Sequence, residues 1–241
     1  MLNTPFTTED LLGSIGLFEG VSEGTLKQFR SQMTPKKYAK NEMVFAQGDS
    51  AYSFYVIKKG WVKLSRQTLD GEEAIIDILT EGHIFGETTF FEDVAYSFNA
   101  EAVEASQLIS FPLPILKEAI MSDGTLSYNM LSGMSRRRQQ QDLEIEHRTV
   151  QNASQRIGCF LLRLCKPDMA SPIRLNLPYD KMLLASRLGM KPETFSRALN
   201  RLRKETDIRI TGATIEFDSL SQLSTYSCSA CSTAFPCVDH H

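Results

Sequence analysis

Hydrophobic residues change their spacing twice along this chain, and each change predicts a different kind of element. Over 8–17 and 22–33 the apolar positions recur at helical intervals. From 38 to 111 they gather into short aromatic and β-branched runs at 43–45, 54–57, 61–64, 74–79 and 108–111. Between the runs stand Gln47-Gly48-Asp49, Lys59-Gly60, Asp70-Gly71 and Glu81-Gly82. Asp-Gly between two such runs predicts a tight hairpin, because glycine accepts the positive φ of a primed turn. Hairpins repeated at this spacing predict a small antiparallel sandwich or jelly roll.

From 114 to 152 the pattern turns helical, with no Gly or Pro between Met134 and Asn152. The seam expected on this long helix is Leu126, Met130, Met134, Arg138, Gln141 or Asp142, Ile145, and Arg148 or Thr149. Its Leu-Met-Met half suits packing on the helix's own β-domain. Its polar half suits a helix that crosses solvent in a dimer, and polar seam residues weaken such pairing, so an effector could strengthen it. Beyond 152 come an amphipathic helix at 154–165, a Pro-containing loop, two helical segments around Gly189 and a two-strand hairpin at 208–217. Helices followed by a small hairpin predict a winged helix-turn-helix. The expected class is α+β, divided as 1–124 (β-domain), 125–152 (dimer helix), 153–222 (winged helix-turn-helix) and 223–241 (a Ser/Cys-rich tail).

Leu184, Ala185 and Leu188 share one face of the first helix of that motif, which ends at Gly189. The second helix starts at Lys191-Pro192-Glu193-Thr194 and buries Phe195, Leu199 and Leu202. Its opposite face carries Glu193, Ser196, Arg197 and Arg201 at i, i+3, i+4 and i+8, as a helix lying in a major groove requires. Arginine can grip guanine O6 and N7 with two bonds, glutamate can accept from cytosine N4, and serine can donate, accept or sit near a thymine methyl. Lys181, Arg187, Arg201 and Lys204 are the candidates for phosphate contacts, and Lys191 and Thr194 complete the DNA-facing set.

Composition supports this placement. The 241 residues are 42% hydrophobic and 23% charged with a formal net charge of -3, enough apolar material for one or two domains. Within 178–205, however, seven positive residues face three negative ones, so a basic segment sits inside an acidic protein. The longest apolar runs, near 75–79 and 157–162, fall far short of the ~20 residues that span a bilayer, so no membrane helix is expected. The acidic N-terminal segment does not read as a secretory signal, which places the protein in the cytoplasm with Cys159 and Cys165 as reduced thiols.

These features together resemble the CRP/FNR family of bacterial transcription regulators over about residues 10–222. The ligand-domain signature is carried by Gly60, Gly71-Glu72-Glu73, Glu81-Gly82-His83-Ile84-Phe85-Gly86-Glu87 and Ala100-Glu101-Ala102. The DNA-domain signature is Leu184-Ala185-Ser186-Arg187-Leu188-Gly189-Met190 followed by Glu193-Thr194-Phe195-Ser196-Arg197. The latter is similar to the FNR and DNR branch. The resemblance implies a cyclic-nucleotide-binding-like β-domain, a homodimer on the 125–150 helix, an inverted-repeat DNA site of the TTGAT type read by Glu193, Ser196 and Arg197, and contact with RNA polymerase. It also implies an effector pocket around Gly86, Glu87, Tyr96 and Ser97.

Cyclic-AMP-binding members carry an Arg-Ser pair where this chain has Tyr96-Ser97. A buried phosphate would lack its guanidinium, so cyclic AMP is not the expected effector. No cysteine precedes Cys159, which excludes the N-terminal iron-sulfur cluster of the oxygen-sensing members. Haem, which the DNR-like branch uses, would need an axial ligand, for which His83 and His147 are candidates. The tail carries Cys228, Cys231, Cys237 and His240, four soft ligands suited to a zinc site or an iron-sulfur cluster, against a plain Ser/Thr-rich tail with incidental cysteines. The other functions to weigh are a cyclic-nucleotide-type sensor module acting through a protein partner, and a thiol or metal enzyme; no general base or phosphate loop is evident for the latter.

Overall fold

The computed structural model describes residues 12–90, 95–165, 169–177, 181–232 and 235–237. The chain divides into two compact units, 1–134 and 135–241.

In the first unit, Ser22 caps helix α1 (Glu23–Gln32) by accepting from the Thr25 N–H. Eight strands follow: β1 (Thr34–Tyr38), β2 (Met43–Phe45), β3 (Ser53–Lys59), β4 (Val62–Gln67), β5 (Glu73–Leu79), β6 (Ile84–Phe85), β7 (Asn99–Ala102) and β8 (Ser106–Pro112). They form two antiparallel four-stranded sheets, ordered β1-β8-β3-β6 and β2-β7-β4-β5. This is the expected sandwich. Strand β3 lies inside its sheet and buries four consecutive residues, Phe54 to Ile57. Strand β1 starts ahead of the expected β region at 38. It is an edge strand rich in Pro and Lys, so it shows little apolar alternation.

Two aromatic groups fill the interior. Phe18, Phe29, Phe54 and Phe111 meet in stacked and edge-on pairs. Phe45 contacts Tyr55, Phe85, Tyr96 and Phe98, with the Phe45 and Tyr96 rings parallel at 3.5 Å between centroids.

The helical stretch after β8 breaks once, between α2 (Leu113–Ser122) and α3 (Gly124–Val150). Asp123 makes the break: Oδ1 accepts from the Thr125 and Leu126 N–H groups that start α3, and Oδ2 accepts from Ser22 N–H and Thr25 Oγ1. Leu126 and Met130 are buried in the first unit's core, the packing on the β-domain that the apolar half of the helix suits. The large apolar residues that α3 exposes are Tyr128 (70%), Leu131 (65%), Met134, Ile145 (65%) and Val150. Of the expected seam residues, Met134, Arg138, Asp142 and Ile145 are exposed, and Tyr128 and Leu131 are exposed beside them.

The second unit contains the later turns of α3, helix α4 (Ala153–Arg163), strand β9 (Ile173–Asn176), α5 (Lys181–Arg187), α6 (Pro192–Thr206), β10 (Arg209–Thr211), β11 (Thr214–Phe217) and α7 (Leu220–Ser227). Asn152 opens α4 with a reciprocal capping box to Gln155. The expected two-strand wing gains a third strand, giving the order β10-β11-β9. Ile173 and Leu175 alternate inward in β9, a pattern too short to stand out from the surrounding loop sequence. Helix α7 was not expected; its first residues precede the proposed tail. It lies so close to α4 that a Cβ on Gly158 would stand 1.9 Å from Ser227 Oγ, so only glycine fits there without a shift.

Candidate nucleic-acid interface

Helices α5 and α6 form the helix-turn-helix. Leu183, Leu184 and Ala185 are buried, and fully buried Ala185 presents only a methyl to its neighbours. Gly189 closes α5 at φ +63°, and the Met190 N–H reaches back to the Ala185 carbonyl at 3.0 Å. Pro192 then stands in the first turn of α6 and Glu193 at its positive end, while Asp207 ends the helix in the left-handed region. Phe195, Ala198, Leu199 and Leu202 form its buried stripe.

That stripe leaves a defined outer face. Glu193, Ser196, Arg197 and Arg201 are all exposed, as are Lys191 and Lys181, and Thr194 is half-buried. Arg201 meets Glu205 at 4.0 Å on the surface, a separation worth little and easily exchanged for another anion.

Arg187 corrects an expectation. It is 7% exposed, and its guanidinium donates two bonds to the Glu144 carboxylate, at 2.5 and 3.1 Å. Arg163 donates to the same carboxylate. Burial alone would raise the Glu144 pKa, but the Arg187 hydrogen bonds and the charges of Arg187 and Arg163 outweigh it and hold the group at about 2. Arg187 therefore anchors α5 to α3 and α4 and is not a phosphate contact. Lone basic residues read the same in sequence whether their partner is DNA or a carboxylate 43 positions away.

In the first unit, Gly86 sits at φ +84° with its carbonyl bound by Thr89 Oγ1. Tyr96 is 4% exposed, and its hydroxyl donates to the Ser53 carbonyl at 2.7 Å. Burial pushes its phenol well above the ordinary range, so it stays neutral. The Ser97 carbonyl accepts from Arg66 Nε at 2.9 Å. Glu87 opens a single 3-10 turn, Glu87–Phe90. The structure thus brings Gly86 and Tyr96 together, 3.4 Å apart from a hypothetical Cβ to a ring carbon, over a wall of aromatic rings.

Among the haem-ligand candidates, His83 is exposed and Nδ1 lies 2.9 Å from the Thr80 carbonyl. His147 is buried, which an exposed helix position did not predict. In the tail, Cys228 begins a 3-10 turn (Cys228–Ala230), Cys231 follows it, and Cys237 is half-buried; His240 lies outside the described residues. Among the described residues no three His, Cys, Asp or Glu side chains converge as a metal site. No helix among them is long and apolar enough to cross a membrane.

Comparison with known proteins agrees with both units. A cyclic nucleotide-binding domain model matches residues 35–123, and a Crp-like helix-turn-helix domain model matches residues 155–226. The global nitrogen regulator of Synechocystis is 30% identical over 194 residues, covering 77% of this chain and 86% of the relative. A Ruegeria pomeroyi structure assigned to the cyclic nucleotide binding proteins superimposes with a TM-score of 0.72 at 30% identity, covering 94% of this chain and all of the other. The structure of DNR from Pseudomonas aeruginosa superimposes with a TM-score of 0.53, also at 30% identity, covering 93% of this chain and all of that one.

Proposed function

This chain belongs to the CRP/FNR family of transcription regulators, and we propose that it binds as a homodimer to an inverted-repeat DNA site of the TTGAT type, under a small-molecule, gas or redox signal other than cyclic AMP. The observation that carries this reading is the outer face of α6, where Glu193, Ser196 and Arg197 stand exposed at i, i+3 and i+4 above a fully buried stripe. A guanidinium, a carboxylate and a hydroxyl at that spacing match a guanine, a cytosine and an adjacent base edge. Arg201, Lys191 and Lys181 flank them as phosphate contacts, with Thr194 at the helix start. The exposed Tyr128, Leu131 and Ile145 of α3 support a two-fold partner helix, whose symmetry an inverted repeat mirrors. Tyr96 supports a signal other than cyclic AMP, since a buried neutral phenol cannot compensate a cyclic phosphate. RNA polymerase is the further partner that family membership implies.

Gel-shift titration tests the reading. Binding to an inverted TTGAT repeat is expected to exceed binding to scrambled DNA by at least about a thousandfold. The Arg197→Ala substitution is expected to cost about 1–3 kcal/mol per half-site while relaxing preference at one base pair. Equal affinity for both DNAs, unchanged by that substitution, would sink the proposal.

A further inference from the structure

His147, on the last turn of α3, is 7% exposed and lies between two sulfurs. Its Nδ1 is 3.7 Å from Cys159 Sγ on α4, and its Nε2 is 3.5 Å from Cys231 Sγ. Gln151 Nε2 donates to the same Cys231 sulfur at 2.9 Å and to the Ser227 carbonyl at 3.2 Å. The two ring nitrogens point in opposite directions, so the sulfurs they face cannot share one metal ion. The arrangement instead places an amide N–H donor, from Gln151, and an imidazole nitrogen able to take a proton, from His147, beside a single sulfur, Cys231, which favours its anionic, nucleophilic form.

The second thiol is supplied by the turn. The Cys231 N–H donates to the Cys228 carbonyl at 3.2 Å across the 3-10 turn. Residues three apart in such a turn eclipse one another, and the ends of a turn lie within about 7 Å, inside the Cα span that a disulfide bridges. Cys228 and Cys231 are both half-buried and within reach of solutes, whereas Cys159 and Cys165 are buried.

We propose that Cys228 and Cys231 form a peroxide-reactive dithiol, with Cys231 the attacking sulfur and His147 its proton partner. Cys231 gives its proton to Nε2, while Nδ1–H faces Cys159. The thiolate attacks one oxygen of a hydroperoxide: an S–O bond forms, the O–O bond breaks, and the departing oxygen takes the proton and leaves as an alcohol or water. The sulfur is oxidised by two electrons to a sulfenic acid and the peroxide is reduced. Cys228 sulfur then attacks that sulfenic sulfur; the S–S bond forms, the S–O bond breaks, and the hydroxyl leaves with the Cys228 proton as water.

The product disturbs the end of α3. Cys231 Sγ must turn from Gln151 and His147 toward Cys228. Ser232, next in the chain, holds Glu146 of the same helix through its N–H and its hydroxyl, both at 2.8 Å. The proposal builds on the signal-gated regulator described above by giving its signal a chemical class, and its readout does not depend on DNA.

The test uses the full chain, reduced and freed of reductant, treated with hydrogen peroxide, alkylated and mapped by peptide mass. The expected result is a two-hydrogen mass loss confined to the Cys228–Cys231 peptide, with Cys159 and Cys165 alkylated only after denaturation. In the Cys228→Ser variant the reaction should stop at a sulfenic acid on Cys231 that dimedone traps. His147→Gln should slow oxidation about tenfold or more, whereas Cys228→Ser tests the assignment even if that buried substitution impairs folding. Oxidation at Cys237 ahead of Cys231, or thiols no more reactive than in the denatured chain, would overturn the proposal. Stoichiometric zinc that shields both thiols from alkylation would overturn it too. Failure of the gel shift with the thiol chemistry intact would refute the DNA reading alone.

Discussion

Each of the two units is closed internally by its own chemistry. The first is closed by rings: Phe18, Phe29, Phe54 and Phe111 in one group, and Phe45, Tyr55, Phe85, Tyr96 and Phe98 in the other. The second has an apolar core under α4 and α6, but its helices are tied by polar groups, with Glu144 between Arg187 and Arg163, Gln155 against Tyr226 and Ser229, and Gln151 and His147 against Cys231. Aromatic burial responds weakly to pH or oxidant. Carboxylates and imidazoles respond to pH, and thiols to both, so the packing of the second unit is the more open to solution chemistry.

Phe54→Ala, which empties the centre of the first unit, should give the largest effect, a loss of about 3–5 kcal/mol. The single tryptophan, Trp61, is buried in that unit, so its fluorescence during urea denaturation reports the loss directly. The loss should be the same at pH 4 and pH 8. A strongly pH-dependent loss would break the contrast.

Removing Arg187 comes next. Arg187→Ala leaves a largely buried carboxylate with one partner fewer and should cost about 3 kcal/mol, read by helical circular dichroism. The Glu144 pKa is depressed in the folded state, so its stabilisation is complete above the unfolded value near 4.5 and fades as pH falls toward about 2. Glu144→Gln should flatten that acid limb. An unchanged limb would mean that other carboxylates set the acid sensitivity.

The smallest stability effect is expected on the outer face of α6. Arg201→Ala should alter stability by no more than about 0.5 kcal/mol. It should weaken binding to specific and scrambled DNA alike and reduce the salt slope by about one. A loss confined to one base pair would reassign Arg201 to base recognition.

Much of the architecture was legible because it follows short-range rules. Apolar runs punctuated by Asp70-Gly71 and Glu81-Gly82 marked the sandwich, and the Phe195, Leu199 and Leu202 spacing with Gly189 and Pro192 marked the reading head. Strand β1 and strand β9 were missed because an edge strand and a four-residue strand draw their stability from neighbours far along the chain. Helical spacing on α3 likewise left open which neighbour its apolar half meets, and the packing assigns Leu126 and Met130 to the first unit's core.

The sequence by itself determined the succession of a β-rich unit, a long helix and a helix-turn-helix, and the chemistry offered on α6, because periodicity and turn residues act within a few positions. Tertiary structure alone decided which charges and thiols are spent internally. Arg187 and Arg197 are ten residues apart and alike in kind, yet one is buried on Glu144 and the other faces solvent. His147 meets Cys231 from 84 positions away. Hydrogen bonds and ion pairs depend on distance in space, and only the packed chain sets that distance.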